Sequence, residues 1–237
     1  MTAAAAAPAI LRYGRVDSTQ AIVFAMAVEG AADRTVVVAE SQTAGRGRRG
    51  RTWQDEPGAS LLVSILLRPQ LTPAQLPTLS LTAGVALAEA LATAAGLQAR
   101  LKWPNDVLVG GRKLAGILLE SRGLAPVVAL GIGVNITQGE FPCELAERAT
   151  SVCLAGGACD RETLLAALLE ALDRWRGRLE REGFAPVRER WRALAETLGR
   201  TVTVDGVTGV AVDVDEDGAL LLETDGRRQR VVAGEVA

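Results

Sequence analysis

Apolar positions along the first 135 residues come in short, nearly unbroken runs, whereas near the end of the chain they alternate with polar ones. Residues 35–39 and 60–67 (SLLVSILL) are continuous apolar segments of strand length, the kind a sheet covers on both faces. Residues 101–109 read as strand, sharp turn, strand, with Gly110-Gly111 as a hairpin tip, and 112–120 return as the next strand. Residues 126–135 (PVVALGIGVN) add one more. Helical signals sit around these runs. Asp17-Ser18-Thr19 precedes the segment 20–29 and Gly30 closes it, which brackets a short helix by capping. Residues 73–95 carry apolar positions at helical spacing and stop at Gly96; Asp160 caps a helix reaching about Glu182 and ended by Gly183; another covers roughly 186–198. Trp175 and Trp191 lie in these two helices and read as core, while 136–159 has no regular pattern.

From Arg200 the period becomes two. Short strands at 201–204, 210–214, 220–223 and 230–232, joined by Asp-Gly turns, predict a small all-β barrel. Strands separated by only one long helix lack the regular alternation of a doubly wound fold. The expected architecture is α+β: a mixed sheet with helices on one face over residues 1–198, then the barrel over 199–237.

Composition narrows the chemistry. Aromatics are 3% and hydrophobics 49%, so the core is largely Leu, Val and Ala. There is no histidine, which removes imidazole bases, Ser-His and Cys-His nucleophiles and imidazole metal sites together. Cys143, Cys153 and Cys159 are odd in number and fit no zinc spacing, as in a reduced, cytoplasmic protein. The alanine-rich residues 1–8 lack the charged region of a secretory signal and read as a frayed terminus. The apolar segment 79–95 is interrupted by Glu89 and reads as too short to span a bilayer, so no membrane is expected.

Against a net charge of −2, residues 45–53 (GRGRRGRTW) stand out, with four arginines and three glycines. Gly45, Gly47 and Gly50 match G-x-G-x-x-G, but no helix follows and position 70 is a glutamine, unlike a dinucleotide fingerprint. A nucleic-acid tether would want a second basic cluster, and there is none of comparable density. A solvated charged loop and a mobile cationic flap over an anionic ligand remain as readings. Asp213, Asp215, Asp217 and Gly218 imitate an EF-hand start, but Thr224 occupies position 12 and strands flank the segment, so calcium is not expected. Other polar groups interrupt strand ends: Asp17-Ser18-Thr19, Gln42, residues 102–106, Lys113 with Gly116, and Gly131 and Gly133 with Asn135. Together they suggest one cleft for a negatively charged ligand, suited to phosphoryl or adenylyl transfer rather than hydrolysis.

The Ser-Thr pair, QTAGRGRRGRTW, KWPNDV, GRKLAG and GIGVN, in this order and ahead of a small β-barrel, resemble biotin protein ligase, the biotin–[acetyl-CoA carboxylase] ligase family. The resemblance runs from about residue 10 to the end. No recognisable winged helix-turn-helix precedes Asp17, so the chain is similar to the short class without a DNA-binding domain, and no DNA partner is expected. It implies a class II aminoacyl-tRNA synthetase-like catalytic domain and an SH3-like barrel. The implied reaction joins biotin to ATP as biotinyl-5′-AMP, with Mg²⁺, then passes biotin to one lysine of a biotin carboxyl carrier protein.

Residue by residue, the resemblance implies biotin contacts from Ser18, Thr19, Gln20, Gln42, Arg46, Gly47, Arg48, Lys113, Gly116, Gly131 and Gly133. The family usually has asparagine where this chain has Gln20. ATP or adenylate contacts are implied for Arg46, Arg48, Arg51, Trp53, Asn105, Lys113 and Asn135, and catalytic roles for Arg48, Lys113 and Asp106. For Asp106, deprotonating the acceptor amine, assisting Mg²⁺ and bracing its turn are all open. The loop 45–53 is expected to be poorly ordered without ligand and to close over the intermediate. Metal ligands are not indicated, and monomer and homodimer are both open. Lipoate or octanoate ligases and transferases of the same fold are the nearest alternative; they carry a glycine-rich segment with histidine, absent here. A peptide-binding adaptor is disfavoured, because no Phe, Tyr or Trp follows Trp191 to line a proline-binding groove.

Overall fold

The computed structural model describes residues 8–123 and 127–236. The frayed start expected before Pro8, and Pro126 at the head of a strand, lie outside these residues. Strands β1 (Ile10–Val16), β2 (Val36–Gln42), β3 (Ser60–Leu67), β4 (Arg100–Lys102), β5 (Asp106–Val109), β6 (Arg112–Arg122) and β7 (Val127–Asn135) form one sheet. Its order is β1-β2-β3-β7-β6-β5-β4. Only the β1–β2 pair is parallel, so the sheet is mixed. Every residue of β3 is buried, in keeping with its unbroken apolar run and central place.

Helices α2 (Thr78–Ala95) and α3 (Arg161–Glu182) pack together over one face, and α1 (Thr19–Val28) lies on the other. Alternation in β3 separates the two environments. Leu61, Val63, Ile65 and Leu67 join the large core with α2 and α3, while Leu66 joins Val23 and Phe24 of α1. α2 is apolar enough in length and composition to cross a membrane, but 67% of it is buried within the fold, which accounts for its apolarity. It begins at Thr78 rather than 73, because Pro77 brings no N–H and sits as the cap.

α4 (Ala185–Leu194) is shorter than its sequence pattern. The chain leaves the helix at Ala195, in extended conformation, and Glu196 N donates to Leu101 O at 2.8 Å. The open edge of β4 captures the backbone that would have made the last helical turn. Strands β8 (Thr201–Val204), β9 (Val207–Val214), β10 (Leu220–Thr224) and β11 (Arg227–Val231) form a second, antiparallel sheet in the order β11-β10-β9-β8. A bridge between Val204 and Val236 brings the C-terminal segment back to β8. Asp215 of the EF-hand-like stretch accepts from the amides of Asp217 and Ala219 and pairs with Arg230, so its oxygens serve a turn.

Candidate active site

Register carries the α1 face of β3 across the sheet. Ser64 lies opposite Gly131, Leu62 opposite Gly133, Gly133 opposite Gly116, Gly116 opposite Asp106, and Asp106 opposite Lys102. Paired residues of antiparallel strands share a face, so the three glycines form one floor without side chains. Gln20 and Trp53 approach it most closely, and Lys113 Nζ lies 3.4 Å from the Cβ position of Gly116. A Cβ on Gly131 would lie 3.0 Å from Gln20 Cδ, and one on Gly133 would lie 2.7 Å from Trp53 Cε2. A Cβ on Gly116 would be 3.1 Å from Trp53 Cζ3. The glycines thus make room first for an amide and an indole.

At one end of this floor is the start of α1. Ser18 occupies the cap position but makes no capping bond, so capping does not explain the residue. Thr19 N and Oγ1 both donate to Gln42 Oε1, at 2.8 and 3.1 Å. With its hydroxyl proton so used, Thr19 accepts from Ser64 Oγ at 2.8 Å. Gln20 Nε2 donates to the carbonyls of Leu118 and Ala129, at 3.1 and 3.3 Å. The result is a buried pocket of oriented donors and acceptors beside apolar strands.

Lys113 reaches the same face through a bulge. It lies three positions before Gly116, so regular alternation would put the two on opposite faces. Between β5 and β6, however, Val107 pairs Ala115 and Leu108 pairs Lys113, leaving Leu114 as an extra residue. Leu114 and Ala115 are both buried, and Lys113 turns to the cleft, where Nζ pairs with Asp106 Oδ1 at 2.6 Å. Arg148 O accepts from Lys113 N at 2.7 Å, so the irregular 136–159 segment clamps the other side of this strand.

Residues 45–53 fold as a small hairpin. Gly47 N donates to Arg51 O at 2.7 Å, Trp53 N to Gly45 O at 3.0 Å, and the tip passes through left-handed Arg49 and Gly50. Arg46 pairs with Glu120 at 2.9 Å, Arg49 with Asp205 and Arg51 with Glu235. Arg48 Nη1 donates to Gly234 O at 3.0 Å and Asn105 Oδ1 at 3.3 Å. Burial, ahead of every other effect, lowers the Arg48 pKa and Arg49 adds to that, against the opposing pull of Glu235, Asp106 and Asp205. A half-buried cation in this state favours an anion beside it. A cleft of about 710 Å³ opens among residues 43–52, Leu118 and Glu120.

Arg48 and Lys113, far apart in sequence, thereby meet at two consecutive residues, Asn105 and Asp106. Asn105 also donates from Nδ2 to Ile117 O at 2.8 Å, so it braces the turn, a task weighed above for Asp106. Asn135 is buried and its Nδ2 donates to Thr150 O at 3.0 Å. Arg51 stands at the exposed rim. Ser64, Asp205, Gly234 and Glu235 were not singled out from sequence. Ser64 left a trace as a polar residue inside a fully buried strand, whereas the other three lie in segments whose pattern speaks only of turns.

The sequence profile of the biotin/lipoate A/B protein ligase family matches residues 13–136, and that of the biotin protein ligase C-terminal domain matches 197–237. A biotin–[acetyl-CoA-carboxylase] ligase of Paracoccus denitrificans is 40% identical over 235 residues, covering 94% of this chain and 97% of the relative. The chain belongs to the biotin protein ligase family. A second ligase of that description, from Mycobacterium tuberculosis, is 39% identical over 92% of this chain and 85% of its own length. Among solved structures, biotin protein ligase from Aquifex aeolicus in complex with biotin and ATP superposes with a TM-score of 0.86 at 30% identity, covering 97% of each chain. As in that family, a mixed sheet with helices carries a small antiparallel C-terminal sheet.

Proposed function

We propose that this cleft activates biotin with ATP and transfers it to a lysine of a biotin carboxyl carrier protein. The observation that carries the assignment is the meeting of Arg48 and Lys113 at the Asn105–Asp106 turn, beside the glycine floor. In the first step a biotin carboxylate oxygen bonds to the α-phosphorus, and the bond from that phosphorus to the β-phosphate oxygen breaks. Two anions must approach one another, and at about 4 Å their repulsion is about 4 kcal/mol at an effective dielectric of 20. Arg48 and Lys113 are the cations that offset it. In the second step a lysine amine attacks the acyl carbonyl and AMP leaves.

Ser18, Thr19 and Gln42, with Ser64 beneath, suit the polar ureido ring; Leu62, Leu118 and the glycines suit its apolar tail. Asp106 holds Lys113 at 2.6 Å, which supports a positioning role over that of a free base. Trp53, whose Nε1 is buried without a partner, supplies a flat wall and a donor to a ligand on the floor. Among the described residues no group of three or more His, Cys, Asp or Glu could hold a metal ion. These residues do not fit a protein-caged metal; magnesium would enter on the phosphates of ATP as part of that substrate. We place the reaction in the cytoplasm and residues 199–237 as a separate C-terminal unit.

The test is incubation with ATP, Mg²⁺, biotin and a carboxyl-carrier domain, followed by intact-mass measurement and peptide mapping. The expected result is one biotin on one lysine and release of AMP and pyrophosphate. Lipoylation in a parallel reaction, with no biotinylation, would move the assignment to the lipoate branch of the fold.

A further inference from the structure

We propose that Lys102 is the contact for the pyrophosphate that departs from ATP, a role that rests on the ligase reading above. Leu101, its neighbour, points to the helical face, lying 3.4 Å from the Cβ position of Gly84 on α2, so Lys102 points to the cleft face. Register agrees, because Lys102 pairs with Asp106, which pairs with Gly116. The other cleft cations already have oxygen partners: Arg46 has Glu120, Arg48 has Gly234 O, and Lys113 has Asp106. Lys102 is half-buried, and among the described residues no carboxylate pairs with it.

The sheet sets the order of these groups. Gly133, Gly116, Asp106 and Lys102 lie on successive strands, each step about 4.8 Å, so Lys102 is roughly 14 Å from Gly133. With the ureido pocket by α1 and the carboxylate at Lys113, the phosphates beyond the α-phosphate lie toward β4. When the bond from the α-phosphorus to the bridging oxygen breaks, the electron pair leaves with pyrophosphate and its charge rises. An ammonium at that point is stronger in the transition state than before it, which lowers the barrier.

The test uses the full chain with Lys102→Ala and Lys102→Arg. Pyrophosphate release is followed with ATP varied at saturating biotin and the reverse, and transfer is followed in single turnovers from pre-formed biotinyl-5′-AMP. Lys102→Ala is expected to lower kcat/KM for ATP about 10- to 100-fold, the size of one charged hydrogen bond. The KM for biotin and the transfer rate, in which no pyrophosphate takes part, are expected to stay at wild-type values. Lys102→Arg should recover most of the loss. Unchanged ATP kinetics would overturn the proposal, and so would an equal loss in transfer, which would assign Lys102 to the carrier protein. A loss that tracks Tm and is not recovered by arginine would make the residue structural. Wild-type protein that forms no biotinyl-5′-AMP would remove the ligase reading and this one with it.

Discussion

At the scale of single residues, Arg48 and Lys113 separate function from stability. Neither fills the core, so Arg48→Ala and Lys113→Ala are expected to lower adenylate formation about 10²- to 10³-fold, as loss of a transition-state charge partner does, with little change in Tm. A fall in Tm like that of a core substitution would show them to be structural. Gly133→Ala places a methyl 2.7 Å from the Trp53 ring and should displace it, with loss of biotin affinity by calorimetry. Gly139→Ala meets nothing within 4 Å and should bind like wild type. Many residues placed here could be read from the sequence, because glycines, arginines and a Lys-Leu-Ala-Gly segment interrupt apolar strands and leave a chemical trace. What they touch could not be read: that Trp53 rests on Gly133, or that Gln20 spends its amide on two carbonyls, depends on packing between segments far apart in the chain.

Elements show the same division. Strand β3 was legible because it is buried on both sides and apolar throughout. β1 was not, since this edge strand is mostly exposed and held by backbone pairing, which needs no particular side chains. The bulge in β6 was also hidden, and it governs the length this hairpin tolerates. Removing Leu114 sacrifices a buried side chain yet leaves Lys113 in phase with Gly116, two positions away. Helices α2, α3 and α4 are tied by Glu89, which accepts from Trp175, Arg174 and Arg190. Burial alone would raise its pKa, but these bonds outweigh it and hold the carboxyl below its ordinary 4.5. A depressed carboxylate stabilises above its unfolded value and ceases to as pH falls through the folded one. Glu89→Gln should therefore cost about 1–2 kcal/mol in urea melts at pH 7, with the gap to wild type closing below 4.5. A gap constant with pH would show that charge at Glu89 is immaterial.

On the scale of the molecule, the arginine hairpin is joined to the C-terminal segment through Asp205, Gly234 and Glu235. Exposed pairs add little to stability, so Asp205→Ala with Glu235→Ala should leave Tm almost unchanged. The same double variant should release bound biotinyl-5′-AMP several-fold faster in a filter-binding chase, and an unaltered rate would uncouple the hairpin from this contact. Arg49 holds Asp205 below its ordinary 3.8, so this link is present at any pH above that value and weakens only in stronger acid. Trp103 makes a deeper connection: it is buried, donates from its backbone amide to Thr197 Oγ1 at 2.8 Å, and donates from its indole to Gly218 O at 3.0 Å. Val202, Val204 and Leu220 of the second sheet belong to the same apolar cluster as α2 and β6. Warming the protein in a scanning calorimeter should accordingly give one heat-absorption peak, because the turn that gathers the two cations is bolted to the very sheet that would otherwise come loose first.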